Sequence, residues 1–348
     1  MRISDRGAAF GGVMTCGSVW MCPVCAAKVT EGRRQEVAQA IEAHLAAGGR
    51  VYMAAFTAPH DRRMTAQELR GLIAGSWRRM QGGKRWKAAK VKADLVGTVR
   101  ALEVTHGDHG WHPHLHVLFF FGADADPDEV DAFGVFLFEQ WARIIRKLGY
   151  GECNPAVWRF EEARSSDDAG DYVAKWGADR EVTKGHAKLG RKGGRSPWQI
   201  LTDIAAGDRR SIMLFREYAA AFKGARQLTW SGGLKQRYGI VDVSDEVIAE
   251  TAAEHEEAAP LAGRLQRHVA DALFRRRLHT RFLEALERRN LWLDALAFLR
   301  RYGIDPDGPP PEHPRDAATR REWATYGHGG QDGSPGHPGM DRAVSTAA

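Results

Sequence analysis

Apolar positions along this chain follow two periods. The apolar run Val117 to Phe121 is entered by alternation: Trp111-His112-Pro113-His114-Leu115-His116 puts imidazoles on one side of an extended chain and apolar groups on the other. This predicts a strand that runs from a polar end into a buried one, and because Pro113 has no N–H to give, the strand is expected to begin near it. Arg50 to Thr57 and Leu95 to Thr105 predict two more strands, the second pairing with the histidine strand across a turn at 106–110. Helical spacing of Val29, Val37, Ile41 and Leu45 predicts a helix over 26–47, stopped by Gly48-Gly49. Thr65 to Gln81 predicts a second, with Thr65 as N-cap and Glu68 three residues on. Val130, Phe133, Leu137, Trp141, Ile144, Ile145 and Leu148 trace one stripe of a helix over 127–149. A short strand is expected at 157–160, then a helical pair, Pro197 to Ala206 and Asp208 to Phe222. Residues 245–301 read as helical, broken at Pro260, with Leu265, Val269, Leu273, Leu278, Phe282, Leu286, Leu293, Leu296 and Leu299 as the apolar stripe.

Interleaved strands and helices of this kind predict an α+β fold in four segments: a cysteine-rich segment and helix at 1–48, a strand-and-helix domain at 49–238, a helical region at 245–302, and a tail at 303–348. The tail is rich in Gly, Pro, His and charge and is expected to be disordered. The helical region is read by default as packing on the first domain, with origin recognition or homo-oligomer formation as its alternatives.

Composition narrows the partners. The 348 residues are 43% hydrophobic, enough for a core, and carry a net charge of +6. That excess is clustered. Arg78, Arg79, Lys84, Arg85 and Lys87, with Trp86 among them, suit phosphate contacts with base stacking. Arg191, Lys192 and Arg195 lie in a glycine-rich stretch whose amides and cations suit a DNA backbone. No run is long and apolar enough to span a bilayer and no secretory leader is evident, so a cytoplasmic protein without a membrane partner is expected.

Three of the four cysteines, Cys16, Cys22 and Cys25, fall within ten residues and include a Cys-x-x-Cys knuckle. This pattern fits structural Zn²⁺ or reduced thiols better than a disulfide framework. Cys153, His44 and His60 are the candidates for a fourth ligand. His114 and His116, two apart on a strand, can chelate one cation. A carboxylate on the neighbouring strand, Glu103, is well placed to complete the site, and His112 is its competitor. Downstream, Asp168, Tyr172, Lys175 and Trp176 fall on one face of a helix capped by Ser166 or Asp167. A phenol needs a nearby cation to be nucleophilic at neutral pH, and Lys175 lies one turn away.

The histidine stretch resembles the motif of the HUH endonucleases, and more closely that of the plasmid rolling-circle replication initiators. Tyr172-x-x-Lys175 matches their nucleophile motif. Phe56-Thr57-Ala58-Pro59-His60 is similar to their first motif, and the cysteines to their N-terminal segment. The resemblance covers roughly 16–238. It implies an antiparallel sheet of about five strands carrying the histidines, with helices on its rear face. It implies Mg²⁺ or Mn²⁺ at His114, His116 and Glu103, nicking of one origin strand through a 5′-phosphotyrosyl link to Tyr172, and Asp168 (or Asp167 or Asp171) activating water at termination. Plasmid origin DNA, a host helicase and a DNA polymerase are the implied partners. A relaxase or single-strand transposase, a two-His-one-carboxylate Fe(II) enzyme, and a non-catalytic zinc-dependent DNA-binding protein are the alternatives.

Overall fold

The histidine run is the central strand of a five-stranded antiparallel sheet in a computed structural model that describes residues 1–4, 7–163, 194–276, 278–287 and 292–309. A small hairpin, β1 (Arg2–Ser4) and β2 (Gly7–Ala9), precedes helix α1 (Pro23–Ala46) and strand β3 (Arg50–Phe56). Helices α2 (Ala66–Gln81) and α3 (Lys84–Lys92) lead into the long hairpin β4 (Leu95–Gly107) and β5 (Gly110–Phe121), then α4 (Pro127–Lys147) and β6 (Phe160–Ala163). After the undescribed stretch come α5 (Pro197–Ala205), α6 (Arg209–Phe222), β7 (Leu228–Trp230) and the short α7 (Leu234–Arg237). Helices α8 (Asp245–Ala258), α9 (Arg267–Arg275), α10 (His279–Leu286) and α11 (Trp292–Arg301) follow. The sheet order is β6-β3-β5-β4-β7.

Alternation along β5 builds the two cores. Leu115, Val117, Phe119 and Phe121 pack under Leu69 and Trp77 of α2, Phe133 and Trp141 of α4, and Phe222 of α6. Leu118 and Phe120 face the other way, against Val37 and Ile41 of α1 and against Leu234 and Ile240. The fold is therefore the expected α+β sheet, but helices cover both of its faces. α1 sits over the far end of the row that His114 and His116 begin.

Local signals fix the helix starts. Thr65 Oγ1 accepts from the Glu68 amide at 3.2 Å while the Glu68 carboxylate accepts from the Thr65 amide at 2.8 Å, the reciprocal box expected for α2. Pro127 occupies the first turn of α4 behind its Asp126 cap.

Three expectations change. Strand β5 begins at Gly110 and passes through Pro113, because before Leu115 it has a strand partner only on the β4 side, so the missing N–H does not break a two-sided ladder. Gly110 itself lies at φ 90°, and a side chain there would press within 3.1 Å of the Arg62 backbone. The strand expected at 157–160 starts at Phe160 instead. Asn154 and Pro155 nucleate a single 3-10 turn first, and Phe160 then stacks on Tyr52 at 4.8 Å. Trp86 is buried in the core against Trp77 and Phe133, so it is not free to stack on bases.

The helical region packs on α1 and the N-terminal hairpin. Helix α8 lies along α1, joined to it by an ion pair of Arg33 with Asp245 at 2.7 Å. Helices α9 to α11 form a third core, with Met1, Ile3 and Phe10 packed into it, which the sequence pattern did not anticipate. Of the predicted tail, only residues 303–309 are described.

Candidate metal centre

Register places the site. In the β4–β5 hairpin Glu103 pairs directly with His114, and Ala101 with His116; on the other side of β5, Ala55 also pairs with His116. Cross-strand partners share a face, so alanines flank the His116 ring on both sides and leave room for it. Glu103 Oε2 lies 3.0 Å from His114 Nε2 and 3.4 Å from His116 Nε2. Donor atoms of these three residues all lie within 4.8 Å of one another.

Protonation logic makes this set fit a cation. His114 Nδ1 sits 3.2 Å from the His112 carbonyl, which can only accept, so Nδ1 carries the proton. In a neutral ring Nε2 then points a lone pair at a carboxylate that is itself a lone-pair donor. Either a second proton or a cation must lie between them. Glu103 Oε1 and His116 Nδ1 are buried with no hydrogen-bond partner among the described residues. Burial alone would raise the Glu103 carboxyl, but hydrogen bonds from His114 and His116 outweigh it and hold it at about 2. Burial likewise would lower His114, and Glu103 outweighs it to hold the imidazole above its ordinary range. Two imidazoles and one carboxylate suit Mn²⁺ or another divalent cation, and Fe²⁺ by the same chemistry.

His112 lies on the same face but outside this set. Its Nδ1 is 3.4 Å from His60 Nε2, and burial, then the His114 and His60 rings, push it down to about 3. His60 is held in place by its own bond to the Ala58 carbonyl at 3.0 Å. In the sequence His60 ends the stretch similar to the family's first motif and is a zinc candidate, and nothing local marks it as the neighbour of His112. Thr57 sits just past the end of β3, where its carbonyl accepts from the Trp141 indole at 2.6 Å.

The thiols of Cys16, Cys22 and Cys25 form a second cluster, with donor atoms within 4.8 Å of one another and no disulfide. Burial pushes the Cys25 thiol up to about 11, while the Ser18 backbone draws Cys16 down. None of the fourth-ligand candidates joins them among the described residues. Both ring nitrogens of His44 are occupied, Nε2 by the Phe121 carbonyl at 2.8 Å and Nδ1 by the Tyr238 hydroxyl at 2.7 Å. Cys153 packs against the main core.

Asp168, Tyr172, Lys175, Arg191 and Lys192 lie outside the described residues. The chain enters that stretch from Ala163, which pairs with Val51, and leaves it at Arg195, whose backbone pairs with His106 at the end of the β4–β5 hairpin. The Arg195 guanidinium is held by Asp203 at 2.8 Å. Arg78, Arg79, Lys84, Arg85 and Lys87 are exposed on the last turn of α2 and on α3. No helix among the described residues is long and apolar enough to cross a membrane.

Comparison with known proteins adds a family. Residues 12–268 match the family described as "Replication protein". A curated relative, "Protein rep" of Streptomyces lividans, is 26% identical over 299 residues, covering 66% of this chain and 64% of its own length. A second, "Neomycin resistance protein" of Streptomyces cyanogenus, is 30% identical over 155 residues, covering 37% of this chain and 36% of its own. The chain thus spans less than two thirds of either relative. No solved structure matches. Because the family match runs from the cysteine cluster through both strands of the histidine hairpin and on into α9, this chain belongs to the replication-protein family.

Proposed function

We propose that this protein initiates rolling-circle plasmid replication by nicking one strand of the origin. The observation that carries the reading is the convergence of Glu103, His114 and His116 on adjacent strands in a chain of this family. These three residues would hold Mg²⁺ or Mn²⁺, which when bound would polarise the scissile phosphate. The Tyr172 oxygen attacks phosphorus. A bond from that oxygen to phosphorus forms as the P–O3′ bond breaks, leaving a 5′-phosphotyrosyl link and a 3′-hydroxyl primer. Lys175 favours the phenolate or neutralises the phosphate, and Asp168 takes a proton from water when the link is resolved. Both ends of the segment that carries Tyr172 are tied to the sheet that carries Glu103, which supports bringing them together.

Cys16, Cys22 and Cys25 are proposed to hold Zn²⁺ in a structural role, tying the start of α1 to the segment before it. Arg79, Lys84, Arg85 and Lys87 are proposed to contact the origin backbone. The setting is the cytoplasm, and the exposed 3′ end is the substrate from which a host helicase and polymerase continue.

The test uses supercoiled DNA carrying the candidate origin, incubated with Mn²⁺ and the intact protein or Tyr172→Phe. Relaxed DNA and a protein–DNA adduct, both lost in the Phe variant and mapped to Tyr172 by mass spectrometry, are the expected outcome. An adduct that persists in Tyr172→Phe, or cleavage with no adduct, overturns the reading.

A further inference from the structure

On the sheet face opposite Glu103 and His114, a cleft of about 390 Å³ opens between α2, β4 and the segment before β7. Arg70, Arg78, Arg100 and Arg226 stand in its walls, and Leu102 and Leu115 form its floor. The two leucines pair with each other one register step from Glu103 and His114, and successive strand residues point to opposite faces. The cleft therefore cannot be part of the metal centre.

Its charge is unbalanced. Among the described residues none of the four guanidinium groups forms an ion pair. No carboxylate lines the cleft. Asp242, whose carboxyl feels Arg226, is held by Lys235 at 2.8 Å. Burial and the neighbouring Arg78 both push Arg100 down, so the environment disfavours its charge, yet arginine does not shed it. Four like charges around a half-buried hollow focus a positive field into it. Planar guanidinium forks match phosphate oxygens in pairs, which a buried counter-carboxylate would otherwise have satisfied.

We propose that this cleft grips a phosphate of a DNA strand running behind the sheet, away from the Glu103 centre. The proposal rests on reading the chain as a DNA-processing protein but not on the Tyr172 chemistry. A bound phosphate group could come from DNA or from a free nucleotide. No aromatic ring lines the cleft to stack a base, so the recognised group is the phosphate rather than a nucleobase. Arg78 at the end of α2 is followed by exposed Arg79, Lys84, Arg85 and Lys87, a track that suits an extended polyanion better than a single anion.

The test measures binding, not cleavage, so it is independent of the adduct experiment. Anisotropy of a short fluorescein-labelled duplex is followed across a NaCl series for the intact protein, for Arg226→Gln at its exposed site, and for Arg100→Gln. Each lost phosphate contact lowers the slope of log affinity against log salt by about 0.9, so both variants are expected to bind more weakly with that reduced slope. Circular dichroism melting checks that Arg100→Gln is folded; should it unfold, Arg226→Gln decides alone. Wild-type affinity and slope in Arg226→Gln overturn the proposal. A parallel thermal-shift series with sodium phosphate and ATP separates the sources. Stabilisation by these anions that Arg226→Gln abolishes, with duplex binding unchanged, assigns the cleft to a free anion and overturns the DNA assignment.

Discussion

Glu103 and His114 meet because a hairpin register makes them cross-strand partners, and His116 joins because alanines on both flanking strands leave it space. The carboxylate is charged, faces two imidazoles, and has a second, buried oxygen with no partner among the described residues. Removing its charge leaves a cation without a counter-ion while hardly changing shape. Glu103→Gln and His116→Ala are therefore expected to lose Mn²⁺ binding, measured by electron paramagnetic resonance of free Mn²⁺, and with it metal-dependent cleavage. Retained Mn²⁺ affinity in both would move the site elsewhere. The histidine spacing was readable directly, since period two on a strand is a local property. Glu103 needed the neighbouring strand, and the sequence left it in competition with His112 because both share the face. Only the tertiary fold brings His60 beside His112.

Elements obey local chemistry until packing overrules it. Thr65 and Glu68 cap α2 as their spacing requires. Trp86, placed among cations, reads as a base-stacking residue, yet it turns inward because α3 lies against α2 and α4, and Trp77 and Phe133 bury its ring. Trp86→Ala is expected to cost about 3–5 kcal/mol in urea denaturation, the cost of a large core cavity; a change below about 1 kcal/mol would indicate a surface role. His44 clips α1 to β5 and to Tyr238. Its Nε2–H donates to the Phe121 carbonyl, and Nδ1 accepts from the Tyr238 hydroxyl. Burial holds its pKa below the ordinary 6.5, so the native state favours the neutral ring. Its contribution to stability is complete above pH 6.5 and is lost as pH falls through the depressed folded value. Denaturation midpoints compared on either side of pH 6.5 should fall on the acid side, and His44→Gln should flatten that dependence. An unchanged dependence in the variant assigns the effect to other groups.

For the whole molecule, the cysteine cluster and the terminal contacts decide how the parts hold together. Three thiols converge at the start of α1, and the N-terminal segment that carries Cys16 continues back to a hairpin packed on α9 to α11. Zinc assay of the protein unfolded in chelator is expected to give one ion per chain. Removing the ion, or Cys22→Ser, should lower the melting temperature, since structural zinc contributes folding energy directly. No zinc, together with an unchanged melting temperature in Cys22→Ser, would leave the cysteines as reduced thiols.

By itself the sequence determined the α+β class, the helix caps, the histidine strand and its hairpin partner, because periodicity, capping and turn chemistry act over a few residues. Tertiary structure decided that Trp86 is core, that His44 and Cys153 stand apart from the thiols, that the N-terminal hairpin and helices α9 to α11 share a core, and that four arginines with no counter-charge among the described residues meet behind the sheet. Those outcomes depend on which faces distant elements turn toward each other. Side-chain burial and charge pairing across long sequence separations leave no periodic trace in the chain.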